Sequence, residues 1–439
     1  MIILILGMIL ILLSSYFLSK FDILNPVFLC CAAFLLSIFS AYYNIFNWAI
    51  HLSPITIGLI LCSLTAMVVC STLVTEISFK NSNSFQLVRV KTIKIEDYKF
   101  YLILLIGIAA AYFYLKDVIR IAKSSGYVSG SGLTELLTMY RKSHFDSSSV
   151  ENNISRVAFY LIDIYKVMTH LITYVAINNL ITAKNNKDRF DAAKLFSVTL
   201  LYAGISILGA ARFRILQLFT YIVIVYFMLY KKKNGWKKRF KIKTILMIIL
   251  AVFLLLTVFV ALRSVIGRET DSDPIYYITS YMGGSIELLD LFIKDPVPPS
   301  DIWGKESFYM IYSFLGRKLH IEEWCYTFVK EFRMANGYNV GNVYSALRCF
   351  YYDFGFLGCV LASGLVGAIY TYLYKRIGRK KIDTDIDLGI VAYGFIFYAI
   401  ALYCINYYFD FVSPSYIKTI LFFIIGKWFL VRFKIRIAK

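Results

Sequence analysis

The chain has 439 residues, of which 59% are hydrophobic and 17% charged, whereas charged residues make up about 25% of a typical soluble domain. This composition excludes an ordinary soluble globular protein. The formal net charge of +20 would indicate a nucleic-acid partner in a soluble chain, but membrane proteins concentrate Lys and Arg in cytoplasmic loops. We therefore expect no nucleic acid among the partners.

Long apolar runs recur along the chain and predict membrane-spanning helices. Runs such as Ile2–Leu18 and Ile245–Leu262 have roughly the length needed to cross about 30 Å of hydrocarbon, where only a helix satisfies its own backbone. We expect an all-α, polytopic integral membrane protein with about eleven spans (roughly 10–12, since predicted ends drift). The predicted spans are residues 2–18, 26–43, 55–75, 100–115, 156–181, 195–210, 213–230, 244–262, 346–373, 387–407 and 415–431.

Basic loops predict the orientation. The run KKKNGWKKRFKIK, Lys231–Lys243, is the strongest cytoplasmic signal. Alternation of the spans then places all the remaining basic connections in the cytoplasm as well. The short connections left outside, Asn44–Pro54 and Asp410–Pro414, carry no Lys or Arg. This pattern predicts an outside N-terminus and a cytoplasmic C-terminus.

We expect one integral domain over residues 1–439, with two sizeable outer loops at residues 116–155 and 263–344. In the first loop, a flexible run at Gly126–Gly132 precedes a predicted short helix at Leu133–Lys142. In the second, Glu306–Met334 is predicted to be helical, and the apolar residues of 286–292 are spaced to cover one helix face. That face should lie on the bundle or at the membrane interface.

Arginines cluster where predicted spans reach the outer face. Arg212 and Arg214 lie in the tight turn Gly209–Arg214, and Arg263 and Arg268 lie where the eighth span ends. Charge at membrane depth is costly and usually faces a polar cavity or a partner, and the planar guanidinium binds phosphate through paired hydrogen bonds. The alternative interpretation is that these side chains extend to the headgroup layer.

The entry to the ninth span is unusually polar. Within Gly337–Gly358, Asn339, Asn342 and Tyr344 are suited to sugar hydroxyls, and Arg348 is suited to an anion. The acidic Asp353 follows them inside the span. The alternative interpretation is an ordinary amphipathic helix entry that contains an Arg348–Asp353 pair.

This segment resembles the signature of bacterial oligosaccharide repeat-unit polymerases, the Wzy-type polymerases of O-antigen and capsule pathways. In that family a polar entry leads to an aromatic FG-x-x-G helix after the large outer loop, and Phe354-Gly355-Phe356-Leu357-Gly358 fits this pattern. The Gly-Ala-Ala-Arg turn at Gly209–Arg212 is similar to the family's small-residue–Arg turn. Ser345 stands where the family commonly has Thr.

The resemblance implies a GT-C-like bundle with a large outer loop and a glycosyltransferase of the bacterial cytoplasmic (inner) membrane that needs no cofactor. One undecaprenyl-diphosphate-linked (polyprenyl) oligosaccharide would donate its glycan to the sugar hydroxyl of a second. The product would be the O-antigen of lipopolysaccharide, a capsule or an exopolysaccharide. A chain-length regulator is a further expected partner. The arginines Arg212, Arg214, Arg263, Arg268 and Arg348 would stabilise the leaving diphosphate, and Asn339, Asn342 and Tyr344 would contact sugar.

A general base must deprotonate the acceptor hydroxyl. His320 lies beside Glu322 and Glu323 on the second outer loop, and Asp353, Asp290 and Glu287 are rival candidates. No metal site is expected, because Asp271-x-Asp273 is interpreted as a solvated loop and no cluster with metal-ligand spacing supports one.

Two other functions remain open at this point. A lipid-linked glycan ligase shares the architecture and chemistry but uses a different acceptor. A polysaccharide-unit flippase normally has two similar halves and short loops at both faces, whereas this chain has one large loop at one face.

Overall fold

The structure is a computed structural model, and it describes residues 1–79, 91–143, 154–210, 212–236, 257, 260, 261, 263, 273–326, 328–379, 385–409 and 413–433. Within these ranges the regular secondary structure is helical apart from one two-stranded sheet. Eight described helices are long and apolar enough to cross a membrane, and α1 and the Leu388–Ala401 segment are shorter apolar helices. The chain is therefore an all-α, multi-pass membrane protein.

The helices, numbered in chain order, are α1 (Ile2–Leu18), α2 (Pro26–Tyr43), α3 (Pro54–Phe79), α4 (Asp97–Ser124), α5 (Leu133–Ser143), α6 (Arg156–Thr182), α7 (Asn186–Leu208), α8 (Arg212–Asn234), α9 (Pro274–Lys294), α10 (Tyr309–Leu319), α11 (Ala346–Arg379), α12 (Leu388–Ile396), α13 (Tyr398–Ala401) and α14 (Pro414–Lys427). A 3₁₀ turn, Glu322–Trp324, follows α10, and a π-helical turn, Trp428–Arg432, follows α14. Strands β1 (Arg333–Ala335) and β2 (Tyr338–Gly341) form an antiparallel hairpin.

The predicted helix positions are largely confirmed within the described residues, with one difference and one span that is not tested. The predicted span 244–262 lies almost wholly outside the described residues. The predicted span 387–407 is wrong as a single helix, because α12 ends at Ile396 and only the short α13 follows before a series of turns. Two backbone groups at this break find other partners. Tyr370 donates to the Ile396 carbonyl at 2.8 Å, and the Ala346 amide donates to the Tyr403 carbonyl at 2.9 Å. Irregular backbone is tolerated at membrane depth when its polar groups are satisfied in this way.

The chain divides into two compact units. The first contains Met1–Phe85, Asp273–Lys380 and Ile396–Ile417, and the second contains Gln86–Ser272, Lys381–Phe395 and Lys418–Lys439. In the first unit, α3 packs along α11, and α2 packs against α1 and α9. In the second, α6 packs against α4, α7 and α8, and α5 lies against α4.

Glycines allow very close helix packing in the first unit. A β-carbon at Gly283 of α9 would lie 2.3 Å from the Ala41 nitrogen of α2, and one at Gly367 of α11 would lie 2.8 Å from the Met67 carbonyl oxygen of α3. Small residues at such crossings let helix backbones approach within membranes. The predicted apolar face of residues 286–292 is likewise buried, apart from the half-buried Leu291.

Helix α11 is broken at Gly355, where φ is +66° and ψ is −167°. Only glycine adopts this region without strain. Before the break the helix is buried, as shown by Leu347 and Cys349. After it, a stripe that includes Leu357 and Leu361 is exposed, as expected for a lipid-facing helix. The FG-x-x-G pattern of the sequence therefore lies where α11 changes from a mainly buried stretch to one with an exposed apolar stripe.

The second outer loop is less helical than expected. The prediction of a helix over Glu306–Met334 is wrong, because α10 ends at Leu319 and β1 begins at Arg333. His320 adopts a left-handed conformation with φ of +56°, and the Ile321 amide donates to the Gly316 carbonyl at 3.0 Å. This arrangement ends the helix and reverses the chain. The predicted short helix of the first loop is confirmed as α5.

Candidate functional site

Arg348 is the centre of a charged cluster in the first unit. It lies on the buried segment of α11 that precedes Gly355, and it is almost fully buried. Its Nη2 donates to Glu331 Oε2 at 2.8 Å, and its Nη1 donates to the Glu306 carboxylate. A buried guanidinium must be paired because an isolated buried charge is very unfavourable. The guanidinium that the sequence suggested for diphosphate binding is therefore paired with two carboxylates.

Aromatic rings surround the same guanidinium. Arg348 Cζ lies 4.5 Å from the ring centroid of Phe292, 5.0 Å from that of Tyr344 and 5.7 Å from that of Tyr352. These distances are within the range of cation–π attraction, which strengthens as water is removed. The rings come from α9, from the chain before α11 and from α11 itself, so the cluster joins several elements of this unit.

The two carboxylates differ in exposure. The Glu331 side chain is 25% exposed, whereas that of Glu306 is 6% exposed. Tyr344 donates its hydroxyl proton to Glu331 Oε1 at 3.0 Å, and Arg333 Nε lies 3.4 Å from the same oxygen. Burial raises the pKa of Glu306, and the neighbouring Arg348 opposes that increase. Glu331 is thus the carboxylate of this cluster that a substrate hydroxyl could reach.

Asp353 accepts hydrogen bonds from two backbone amides of the outer loop. Its Oδ1 accepts a hydrogen bond from the Glu306 amide at 3.1 Å, and its Oδ2 accepts one from the Ser307 amide at 2.6 Å. Two backbone donors therefore engage it, and the ion-pair partners of Arg348 are Glu306 and Glu331 rather than the expected Asp353. Asp353 fixes the segment that presents Glu306 to Arg348.

The hairpin before α11 positions the predicted sugar-binding amides. Asn336 and Gly337 form its two-residue turn, with φ of +47° and +79°, as a type I′ turn requires. Asn339 is exposed on β2, and Asn342 Nδ2 lies 3.4 Å from the Lys330 carbonyl oxygen. The Asn-Gly pair between alternating residues is a strong hairpin signal, and it could have located this element from the sequence.

Asp290 is fully buried and engaged by neighbouring groups. Its Oδ1 accepts from the Ser53 amide at 2.7 Å and from the Thr56 hydroxyl at 2.5 Å, and its Oδ2 lies 2.6 Å from Lys294 Nζ. These contacts cap the start of α3. They also hold α9 against α3, and the catalytic role of Asp290 stays a prediction.

Glu287 lies one turn before Asp290 on α9 and is also buried. Burial and the adjacent Asp290 carboxylate raise the pKa of Glu287 to about 7, and Lys294 opposes this shift. Within the described residues its Oε2 has no hydrogen-bond partner. Glu287 is therefore a buried acid that is readily protonated near neutral pH.

His320 is exposed at the C-terminal end of α10, and Glu322 and Glu323 are exposed beside it. The exposed ring lies in a helix-ending turn. Along the chain His320 lies between Glu306 and Glu331, and it is not one of the ion-pair partners of Arg348.

The remaining predicted arginines belong to the second unit. Arg214, near the start of α8, is half-buried and lies close enough to Tyr140 to oppose the upward pKa shift that burial and Tyr114 impose on that phenol. Arg263 is buried. Arg268 lies outside the described residues, as does the side chain of Arg212, whose backbone begins α8.

Sequence reasoning missed Glu306 and Glu331, both of which it placed in one helix. The available signal was Arg348 itself, because a buried guanidinium requires acidic partners.

In the ranges that the structure describes, no three His, Cys, Asp or Glu side chains are grouped as a metal ion would require.

Comparisons with family models, with curated proteins and with solved structures find no match to this chain.

Proposed function

We propose that this chain is a Wzy-type polymerase, a membrane glycosyltransferase that joins polyprenyl-diphosphate-linked oligosaccharide repeat units. In this proposal it acts at the outer face of a bacterial cytoplasmic membrane and contributes to an O-antigen, a capsule or an exopolysaccharide. The bundle is GT-C-like, with about eleven spans that include residues 244–262. Its N-terminus is outside and its C-terminus is cytoplasmic.

The Arg348 cluster is the observation that carries the proposal. Carboxylates, tyrosines and a guanidinium meet at the entry to a span, where a lipid-linked substrate has its polar head. Aromatic rings supply faces on which pyranose rings stack, and carboxylates accept hydrogen bonds from sugar hydroxyls. The polar entry segment and the FG-x-x-G break at Gly355 add the resemblance to the polymerase family.

The roles follow from these contacts. Glu331 accepts the acceptor hydroxyl proton, and Arg348 and Tyr344 orient its carboxylate. The hydroxyl oxygen bonds to the donor's anomeric carbon as the bond from that carbon to the diphosphate oxygen breaks, and polyprenyl diphosphate leaves. The resemblance to the polymerase family, rather than a contact, assigns Arg212, Arg214, Arg263 and Arg268 to diphosphate binding. Asn339 and Asn342 are the proposed sugar contacts.

A gel of surface polysaccharide tests this proposal. A deletion strain is compared with the same strain complemented by this gene. Loss of the long-chain ladder, with a single repeat unit still attached to its carrier or acceptor, is the expected result.

Two other outcomes would replace the proposal. Loss of all attached glycan, with long lipid-linked chains accumulating, would indicate a ligase. Unpolymerised units trapped in the cytoplasm would indicate a flippase. An unchanged ladder would overturn all three functions.

A further inference from the structure

The chain around β1 has an inverted pattern of polarity. The Glu331 and Arg333 side chains are only 25% and 14% exposed, and Glu331 pairs with the buried Arg348. Phe332 and Met334, which alternate with them, are each 63% exposed. In a water-facing strand the apolar side chains point to the core and the charged ones outward. The outward face at Phe332 and Met334 is therefore suited to an apolar surrounding.

A lipid-facing stripe on α2 runs toward the same region. Leu36, Phe39 and Tyr43 are exposed at spacings of three and four residues, which places them on one face of this membrane-spanning helix. Phe46 continues the spacing beyond the end of α2 and is 90% exposed. The stripe thus extends past the helix end, at the depth where a span meets the headgroup layer.

The hairpin is held against that end of α2. Asn336 Nδ2 donates to the Asn47 carbonyl at 3.1 Å, directly beside Phe46. The ring centroids of Tyr338 and Tyr276 are 6.0 Å apart, and Trp48 Nε1 donates a hydrogen bond to the Tyr276 hydroxyl at 3.3 Å. These contacts hold the hairpin that contains β1 against the chain at the end of the α2 stripe.

We propose that the hairpin region docks into the headgroup layer of the bilayer, with Phe332 and Met334 in contact with lipid. The continuity with the α2 stripe identifies bilayer lipid as the occupant of this face. Because Glu331 and Arg333 lie on the opposite side of the same segment, the docked lipid surface also fixes the position of the charged cluster. The inference needs only a membrane, and it stands whether or not the protein is a polymerase.

Photo-crosslinking in a reconstituted bilayer tests the proposal. The full chain is prepared with p-benzoylphenylalanine at Phe332, at Met334, at Leu36 as the lipid-facing reference, or at Glu323 as the exposed water-facing control. Each variant is placed in vesicles of phosphatidylethanolamine and phosphatidylglycerol and illuminated. Mass spectrometry then measures the fraction of chain that carries a phospholipid.

We expect the yield of phospholipid adduct at positions 332 and 334 to approach the yield at position 36. It should exceed the yield at position 323 by about tenfold or more, because an apolar face at the boundary of headgroups and acyl chains contacts lipid, whereas a water-exposed side chain does not. An adduct at 36 without one at 332 and 334 would overturn the proposal. Crosslinks from 332 to a second copy of the chain, in place of lipid, would also overturn it and would assign this face to self-association.

Discussion

Arg348 and Glu331 form a 2.8 Å ion pair that links the helix entry at residue 346 to the extended chain before the hairpin. The guanidinium is buried, whereas the carboxylate retains partial exposure. The cation of the pair is therefore held within the fold, whereas its carboxylate partner stays partly accessible from outside.

Glu331→Gln tests the assignment of the base. The amide keeps the size of the side chain but takes up no proton, so polymerisation should fall by about 10²-fold or more, in the range known for general-base removal. The measurement is the polysaccharide ladder, with membrane levels of the protein checked in parallel. Glu322→Gln, at an exposed position, is the matched control and should leave the ladder intact. A full ladder in Glu331→Gln would remove the proposed role.

Arg348→Met should destabilise the protein, because Glu306 would remain buried without its cation. Breaking one half of a buried pair costs about 3–5 kcal/mol, which should appear as a lower thermal midpoint in detergent. The double variant Arg348→Met with Glu306→Leu should recover much of the loss, because it removes the stranded charge. Equal midpoints for the single variant and the wild type would show that the pair contributes little.

His320→Asn separates the predicted histidine base from the Glu331 assignment. Asn tolerates the left-handed backbone that His320 adopts, so the turn after α10 should persist. We expect a normal ladder, since the contacts that organise Arg348 do not involve this side chain. A lost ladder at normal protein levels would return the base role to His320.

Gly283→Ala tests the close crossing of α9 and α2. The added methyl would meet the Ala41 backbone at 2.3 Å, so the helices must separate, and thermal stability should fall by an amount typical of overpacking, about 1–3 kcal/mol. Gly204→Ala in α7 is the control, because a β-carbon there meets nothing within 4 Å. That substitution should raise helix stability slightly. Similar midpoints for both variants would contradict the crossing geometry.

The buried acid Glu287 predicts a pH dependence of stability. Its pKa of about 7 in the folded chain exceeds the ordinary value of 4.5, so the folded state holds a proton that the unfolded state releases between these values. Stability should therefore be highest below about pH 4.5 with respect to this group and fall as the pH rises through about 7. Glu287→Gln should remove this fall, measured as the difference in thermal midpoint between pH 5 and pH 8. Parallel pH profiles for the variant and the wild type would contradict the prediction.

Much of the fold could be predicted from apolar runs, because the length of a span is set by the bilayer. The bounds of α1 and α2 match the predicted runs, and α6 differs by one residue at its end. The break after α12 could not be predicted this way. Its backbone groups are satisfied by Tyr370 and Ala346, which are distant in sequence.

The candidate site was predictable only in part. Arg348 and Tyr344 were identified correctly as members of one polar segment, and the structure brings them together. The ion-pair partners of Arg348 were not identified correctly. Asp353 is nearer to Arg348 in sequence, whereas Glu306 and Glu331 reach Arg348 only through folding of the outer loop. Local spacing cannot indicate which of several carboxylates a loop returns to a buried cation.

The break at Gly355 has a consequence for how the chain enters the bilayer. Residues 356–379 form about 36 Å of helix at 1.5 Å per residue, which is sufficient to cross the hydrocarbon without the preceding segment. An Arg at the centre of an inserting helix costs about 2.5–3.5 kcal/mol. Because Arg348 and Asp353 both precede the break, insertion of the apolar segment does not require either charge to enter the hydrocarbon.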